Sequence, residues 1–100
     1  MMPPAAPPTE SRLHDQLTRE GLHVTRWSNG PHAVYAMHDH PYGKVLVVVF
    51  GHITFTVEGR QGTVAMKPGD RLELSPGTPH SALVGAEGVV CLEAHVPPAA

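Results

Sequence analysis

Histidines at alternate positions of one short stretch are the residues of this sequence with the clearest chemical potential. His38 and His40 flank Asp39, and His80 lies forty residues further along the chain. Because successive side chains of a β-strand point to opposite faces, His38 and His40 share a face while Asp39 points the other way. Imidazole is a common ligand of divalent transition metals (zinc, iron, manganese, nickel or copper), and three imidazoles can form a facial set. His38, His40 and His80 therefore predict a metal site.

Other polar side chains are candidate members of the same site. Tyr42 and Lys44 follow the histidine pair and are predicted to bind substrate; alternatively, Lys44 begins a strand with its amine in solvent. Glu93 shares a face of the last predicted strand with Cys91 and His95. If that face is turned inward, Glu93 could supply a fourth, carboxylate ligand. The interpretation that we favour is a solvated edge, since charged side chains are rarely buried without a partner.

Composition limits the class of protein. One hundred residues correspond to one domain with a modest core. A net charge of −2 leaves no basic surface, so neither nucleic acid nor an anionic membrane is an expected partner. No apolar run is long enough to span a bilayer, and no secretory signal is visible. Cys91 is the single cysteine, which excludes an internal disulfide and predicts a cytoplasmic location.

The first part of the chain predicts a tail and a short helix. Residues 1–9 are rich in proline and alanine, which predicts a disordered tail or a strap over a neighbour. Residues 10–21 predict a short helix, with Thr9 as its N-cap and Gly21 as its stop. Charged residues leave this helix only a narrow apolar stripe, so we expect it to be peripheral.

From residue 22 to residue 97 the sequence has the period of β-strands, with Gly/Pro turns between them. Residues 44–50 are apolar on both faces, so one face needs a second sheet and the other face predicts a partner subunit in a homodimer. About eight short strands with almost no helix predict an all-β sandwich or barrel. The predicted strands are 22–27, 33–38, 44–50, 53–57, 63–66, 71–74, 80–84 and 89–96.

At this point the sequence resembles a known family, the small single-domain cupins. The first cupin motif has two histidines one residue apart, then a glutamate, then a glycine. His38, His40 and Gly51 stand at these positions, but Lys44 replaces the glutamate. The resemblance implies a jelly-roll barrel, or double-stranded β-helix, with the histidines pointing into its mouth and often a homodimer.

The second cupin motif is also recognisable in the chain. Gly69, Gly77 and His80 match its spacing, while Ser75 replaces its proline and Val84 its asparagine. Two motifs in the right order indicate the cupin fold across about residues 30–96.

Lys44 is the departure that bears most on function. The family's glutamate is an anionic metal ligand, whereas an ammonium there repels a cation. The resemblance to cupin dioxygenases with three histidines implies that metal can still bind. Two classes of function follow: a metal-dependent dioxygenase or isomerase acting on a small oxygenated or anionic ligand, or a non-enzymatic ligand-binding or sensor protein, with or without metal. Fold-level analogy does not choose between them.

Overall fold

The computed structural model describes residues 6–96 of the chain. One helix precedes an all-β body, as the sequence predicts, and the part of the predicted tail before Ala6 lies outside the described residues. The elements are α1 (Glu10–Arg19), β1 (Thr25–Asn29), β2 (Val34–His38), β3 (Gly43–Val57), β4 (Thr63–Met66), β5 (Arg71–Leu74) and β6 (His80–Val96).

Two long strands, β3 and β6, organise the body. They pair antiparallel from Gly43 opposite Val96 to Val57 opposite His80, with an interruption at residues 85–88 of β6, which have no partner on β3. The first half of β3 and the second half of β6 form one wall, which β5 and β1 extend on either side. The other halves of β3 and β6 form the second wall, together with β4 and β2. The two walls face each other and enclose the core between them.

Glycines let each long strand pass from one wall to the other. Gly51 and Gly88 both have positive φ angles, of 77° and 81°. A Cβ atom on Gly51 would lie 1.9 Å from the carbonyl oxygen of Gly88, so the two backbones could not approach this closely with any larger residue. The register between β3 and β6 shifts on both sides of this contact, as expected for β-bulges.

The predicted breaks at Gly51 and at residues 85–88 are therefore wrong. The sequence predicts two pairs of short strands there, whereas β3 and β6 each continue as one strand through the bend, with residues 85–88 bulging out of the pairing with β3, which leaves six strands among the described residues. The first predicted strand is displaced as well, because β1 runs from Thr25 through Asn29 into the predicted turn. The predicted strands 63–66 and 71–74 match β4 and β5.

The main core lies between the walls and is built from inward-facing positions that alternate along the strands. Its largest fully buried members are Leu46, Val48, Ile53, Val84, Val89 and Cys91.

The helix α1 begins and ends with the predicted capping residues. The Thr9 hydroxyl accepts a hydrogen bond from the Arg12 amide at 3.2 Å. Gly21, at φ 82°, ends the helix in a Schellman arrangement, in which the amide of Leu22 donates to the carbonyl of Leu17.

The outer face of the first wall is covered by α1. Leu17 is fully buried against Val45, Val47 and Leu92, so this helix is part of a second core and not merely peripheral. The amphipathic stripe is narrow, but it lies on the strand that is apolar on both faces. The helix thus covers the apolar outer face of β3, for which the sequence predicted a partner subunit. The homodimer stays a prediction, without this argument for it.

Candidate metal centre

Two backbone segments bring the three predicted metal ligands together. His38 ends β2 and lies opposite His80, the first residue of β6, after an irregularity in the register that follows Tyr35. The loop after β2 carries His40. The backbone carbonyl oxygen of His40 accepts a 2.7 Å hydrogen bond from the amide of Gly77, in the Pro-Gly turn before β6. This bond joins the two sequence motifs and fixes the distance between them.

The three imidazoles form a compact cluster. Ring centroids are separated by 4.5 Å for His38 and His80, 4.8 Å for His38 and His40, and 5.5 Å for His40 and His80. Each ring offers one nitrogen such that all three nitrogens lie within 4.8 Å of one another. Within residues 6–96 this is the one group of three or more histidine, cysteine or acidic side chains with that property.

Hydrogen bonds orient two of the rings for binding. The Nδ1 atom of His38 lies 2.6 Å from the carbonyl oxygen of Ala36, and the Nδ1 atom of His80 lies 2.9 Å from that of Thr78. A carbonyl oxygen only accepts, so Nδ1 carries the proton in each ring, and in the neutral form of the ring Nε2 has a free lone pair. Such a contact is the usual way in which proteins orient a metal-binding imidazole.

The third ring has an unsatisfied nitrogen. The Nε2 atom of His40 is buried and has no hydrogen-bond partner among the described residues. A buried polar atom without a partner is costly unless something else pairs with it. A divalent transition metal bound by three Nε2 atoms would satisfy it, so the residues present fit a metal ion.

The electrostatics favour the neutral, metal-binding form of two of the imidazoles, those of His40 and His80. Burial lowers the pKa of His40 below 6.5, and the positive charge of Lys44 lowers it further. Burial also lowers the pKa of His80, although its hydrogen bond to Thr78 acts in the opposite direction. Neutral imidazole has a lone pair to donate, whereas imidazolium does not.

Lys44 and Glu93 form an ion pair beside the cluster. Lys44 Nζ lies 2.9 Å from Glu93 Oε1, and the two side chains are 14% and 13% exposed. The other carboxylate oxygen, Oε2, lies 3.2 Å from Nε2 of the more exposed His95. The face shared by Cys91 and Glu93 is therefore turned inward, and the solvated edge favoured from the sequence is wrong for these two residues. Charge pairing across neighbouring strands makes this burial possible.

Two predicted site residues, Glu93 and Tyr42, thus have contacts that were not predicted from the sequence. The carboxylate of Glu93 pairs with Lys44 and is not a member of the three-histidine group. Tyr42 stacks on His40 and on His95, with ring centroids 5.0 Å and 4.0 Å apart. It therefore supports the ring of His40 from the side. Their roles as fourth ligand and substrate contact stay predictions.

A cavity of about 400 Å³ opens between the walls, next to the histidines. Lys44 and Glu93 line it together with the three histidines. Three aromatic lining residues were not predicted from the sequence as members of the site: Trp27 of β1, Tyr35 of β2 and Phe55 of β3. Their signal in the sequence was a large aromatic residue on each of three predicted strands, but alternation alone does not show which face is inward.

Solved structures share this fold at low sequence identity. A structure of the DMSP lyases RdDddP and RnDddQII is 23% identical with a TM-score of 0.70, over 75% of this chain and 38% of that one. The SPY1581 protein of unknown function from Streptococcus pyogenes is 25% identical with a TM-score of 0.65, over 77% of this chain and 65% of that one. Oxalate decarboxylase from Bacillus subtilis, with Mn(II) centres, is 22% identical with a TM-score of 0.67, over 74% of this chain and 20% of that one.

These similarities concern the barrel. The chain spans less than two fifths of the length of the DMSP lyase chain that it matches. No curated protein sequence matches this chain. No helix within residues 6–96 is long and apolar enough to cross a membrane. The sequence profile of the family described as Cupin domain matches residues 25–94, which include all three clustered histidines. The chain therefore belongs to the cupin domain family.

Proposed function

We propose that this cupin binds a divalent transition metal through His38, His40 and His80 and holds a small oxygenated or anionic ligand beside it. A metal bound there would supply Lewis acidity toward an oxygen atom of the ligand. The side chains of the barrel would orient that ligand and keep water from most of it.

The unsatisfied Nε2 atom of His40 carries this proposal. Two neighbouring imidazoles are already oriented by carbonyl oxygens, and the third presents a buried nitrogen with no partner in the described chain. Ordinary histidines at a barrel rim would reach water or a protein donor instead. Four of the other histidines do have exposed positions, namely His14, His23, His32 and His52.

Lys44 is the residue that we assign to the ligand's negative charge. Its ammonium lines the cavity and is held by Glu93, so its position is fixed before any ligand enters. A positioned cation stabilises a carboxylate or an enolate better than a mobile one, because no reorganisation is needed when the charge arrives.

A metal-dependent isomerase or dioxygenase is one form of this function. It is supported by cupin neighbours that are enzymes, the DMSP lyases and the Mn(II) oxalate decarboxylase. A ligand-binding or sensor protein is the second form, and a specific observation favours it. Glu93 is the one carboxylate among the described residues that line the cavity, and its ion pair with Lys44 leaves no free carboxylate there to act as a general base beside metal-bound histidines.

Elemental analysis of the purified protein tests the metal site. We expect about one equivalent of a divalent transition metal, removed by His38→Ala and kept by His52→Ala, which changes an exposed histidine. No metal in the wild-type protein after reconstitution, or equal loss in both variants, would contradict the proposal. Once a reaction is found, its loss in His80→Ala would favour the enzyme, whereas loss of ligand affinity alone would favour the binding protein.

Two further predictions are kept as proposals. A cytoplasmic location rests on Cys91, which is buried and unpaired. A homodimer is tested by light scattering, and a monomer at micromolar concentration would exclude it.

A further inference from the structure

We infer that the ligand of this cavity is a small monocarboxylate with a hydrocarbon body, and that it is not a polyhydroxylated compound. This inference rests on the proposed function, because it takes the histidines and Lys44 as the polar end of the site. It adds that the rest of the cavity selects for apolar carbon.

The strand registers place an apolar layer directly beneath the polar mouth. Leu46 follows Lys44 by two positions on β3, and Ala82 follows His80 by two positions on β6. Since every second side chain of a strand points to the same side, both lie on the cavity side and one layer deeper. Phe55 lies opposite Ala82 in the second wall.

We call this layer the apolar floor. Its members line the cavity, share the absence of any charged group, and are Trp27, Leu46, Ile53, Phe55 and Ala82. The four aliphatic and phenyl side chains among them are 1–7% exposed, so they are fixed core residues and not mobile surface groups.

Three of the four polar side chains that line the remaining cavity wall, Thr25, Tyr35 and Glu93, already have partners inside the protein, and the fourth, Ser28, is exposed. The hydroxyl of Tyr35 lies 2.8 Å from Nδ2 of Asn29, which donates to it. The hydroxyl of Thr25 donates to the backbone carbonyl of Glu93 at 3.2 Å. The Glu93 carboxylate is held by Lys44. What remains free is the hydroxyl proton of Tyr35, a lone pair of Thr25 and the exposed Ser28 hydroxyl, which are fewer groups than a polyhydroxylated ligand needs.

One donor on the floor is unpaired. The indole Nε1 atom of Trp27 is buried without a hydrogen-bond partner among the described residues. A single N–H can serve one acceptor oxygen. It cannot serve the several hydroxyls of a sugar acid.

Desolvation then decides between ligand classes. Each hydroxyl that leaves water without finding a partner weakens binding, whereas each methylene that packs on the floor strengthens it. A fully buried methylene increases affinity by about fourfold, as the usual transfer free energy implies. A site of this kind therefore discriminates strongly between two acids of equal length and charge that differ only in their hydroxyl groups.

The test is a calorimetric titration of the metal-reconstituted protein with acetate, hexanoate and gluconate. Hexanoate and gluconate have the same chain length and charge. We expect the dissociation constant of hexanoate to be at least about 30-fold lower than that of acetate, since four methylenes reach the floor. We expect gluconate to bind more weakly than hexanoate. The fluorescence of Trp27, the only tryptophan of the chain, should change with hexanoate and not with acetate.

A cavity-filling variant locates the effect. Ala82→Leu adds carbon to the floor and should reduce the preference for hexanoate over acetate to about threefold or less, while acetate binds as before. Ala65→Leu makes the same change at an exposed position of β4 and should leave the preference intact. If circular dichroism shows that Ala82→Leu is unfolded, the affinities of the wild-type protein for the three acids decide whether the inference holds.

The outcomes separate this inference from the proposed function. The same titrations on the metal-free protein measure the contribution of the apolar floor to binding without the metal. If the protein prefers hexanoate but takes up no metal, the proposed metal site is refuted and the inference about the apolar floor stands. Equal affinities for acetate and hexanoate, tightest binding of gluconate, or no binding of hexanoate at millimolar concentration would overturn the inference even if metal binds.

Discussion

Two groups of polar side chains share the mouth of the cavity, and their hydrogen-bonding and charge requirements are met in opposite ways. Lys44 and Glu93 neutralise each other at 2.9 Å. The three histidines have no counter-charge of their own, and the Nε2 atom of His40 has no partner among the described residues. The ion pair is complete without a ligand, whereas the histidine cluster is not.

The difference indicates how the departure from the cupin motif is tolerated. An ammonium at the glutamate position would repel a bound cation if its charge were free. Glu93, reached from the neighbouring long strand, supplies a carboxylate for that ammonium instead. The motif's missing negative charge is thus present at the site, but it is directed at Lys44.

The largest expected effect comes from His40→Ala, which removes the unsatisfied nitrogen. Metal binding should be lost, because two imidazoles form a poor site for a divalent ion. The free energy of unfolding of the metal-free protein should fall by no more than about 1 kcal/mol, because no hydrogen bond to Nε2 is broken. Metal titration and urea unfolding of the metal-free protein measure the two quantities. A large loss of stability without metal would show that His40 is an ordinary structural residue.

Breaking the ion pair should have the next largest effect. Glu93→Gln leaves the Lys44 ammonium without its counter-charge in a mostly buried position, which we expect to cost about 2 kcal/mol of unfolding free energy. Lys44→Met combined with Glu93→Gln should recover most of that loss. Glu58→Gln, at an exposed position, is the matched control and should change stability by less than about 0.5 kcal/mol. A loss of equal size in Glu93→Gln and in the control Glu58→Gln would show that Glu93 and Lys44 are not coupled.

Removing the positive charge of Lys44 should strengthen metal binding. Lys44→Gln takes away a cation beside the histidines and releases the carboxylate of Glu93, so metal affinity should rise roughly tenfold, or by about 1.4 kcal/mol. Competition with a chromophoric chelator measures the change. An unchanged or weaker affinity would mean that the ammonium does not act on the metal site.

The smallest effect is a pH dependence of the metal-free protein. The pKa values of His40 and His80 lie below 6.5 in the folded state, mainly because of burial. The unfolded chain therefore takes up more protons as the pH falls through 6.5, so stability is fully present above that pH and decreases below it. Urea unfolding with chelator present, from neutral to mildly acidic pH, should show this decrease. It should be reduced in a variant with both residues changed to glutamine.

The sequence predicted what depends on local pattern. Alternation placed His38 and His40 on one face, and the spacing of the second cupin motif indicated His80 as their partner. The helix caps at Thr9 and Gly21 were also readable, because capping depends on a few neighbouring residues.

What could not be predicted depends on contacts between distant segments. The pairing of Lys44 with Glu93 follows from the register of β3 on β6, which no local pattern reports. The direction of the face that carries Cys91 and Glu93 depends on the same register. Gly51 resembles a strand break in the sequence, and only its contact with Gly88 shows that it is a bend within a strand.

That bend has a consequence for how the chain folds. Because β3 and β6 pass through both walls, the pairing that joins Gly43 to Val96 and the pairing that joins Val57 to His80 lie on the same two strands. Neither wall has a pair of central strands of its own, so neither can form as an independent unit. Folding must therefore wait for two segments far apart in sequence to meet, which favours a slow, all-or-none transition in which the barrel and its histidine cluster form together.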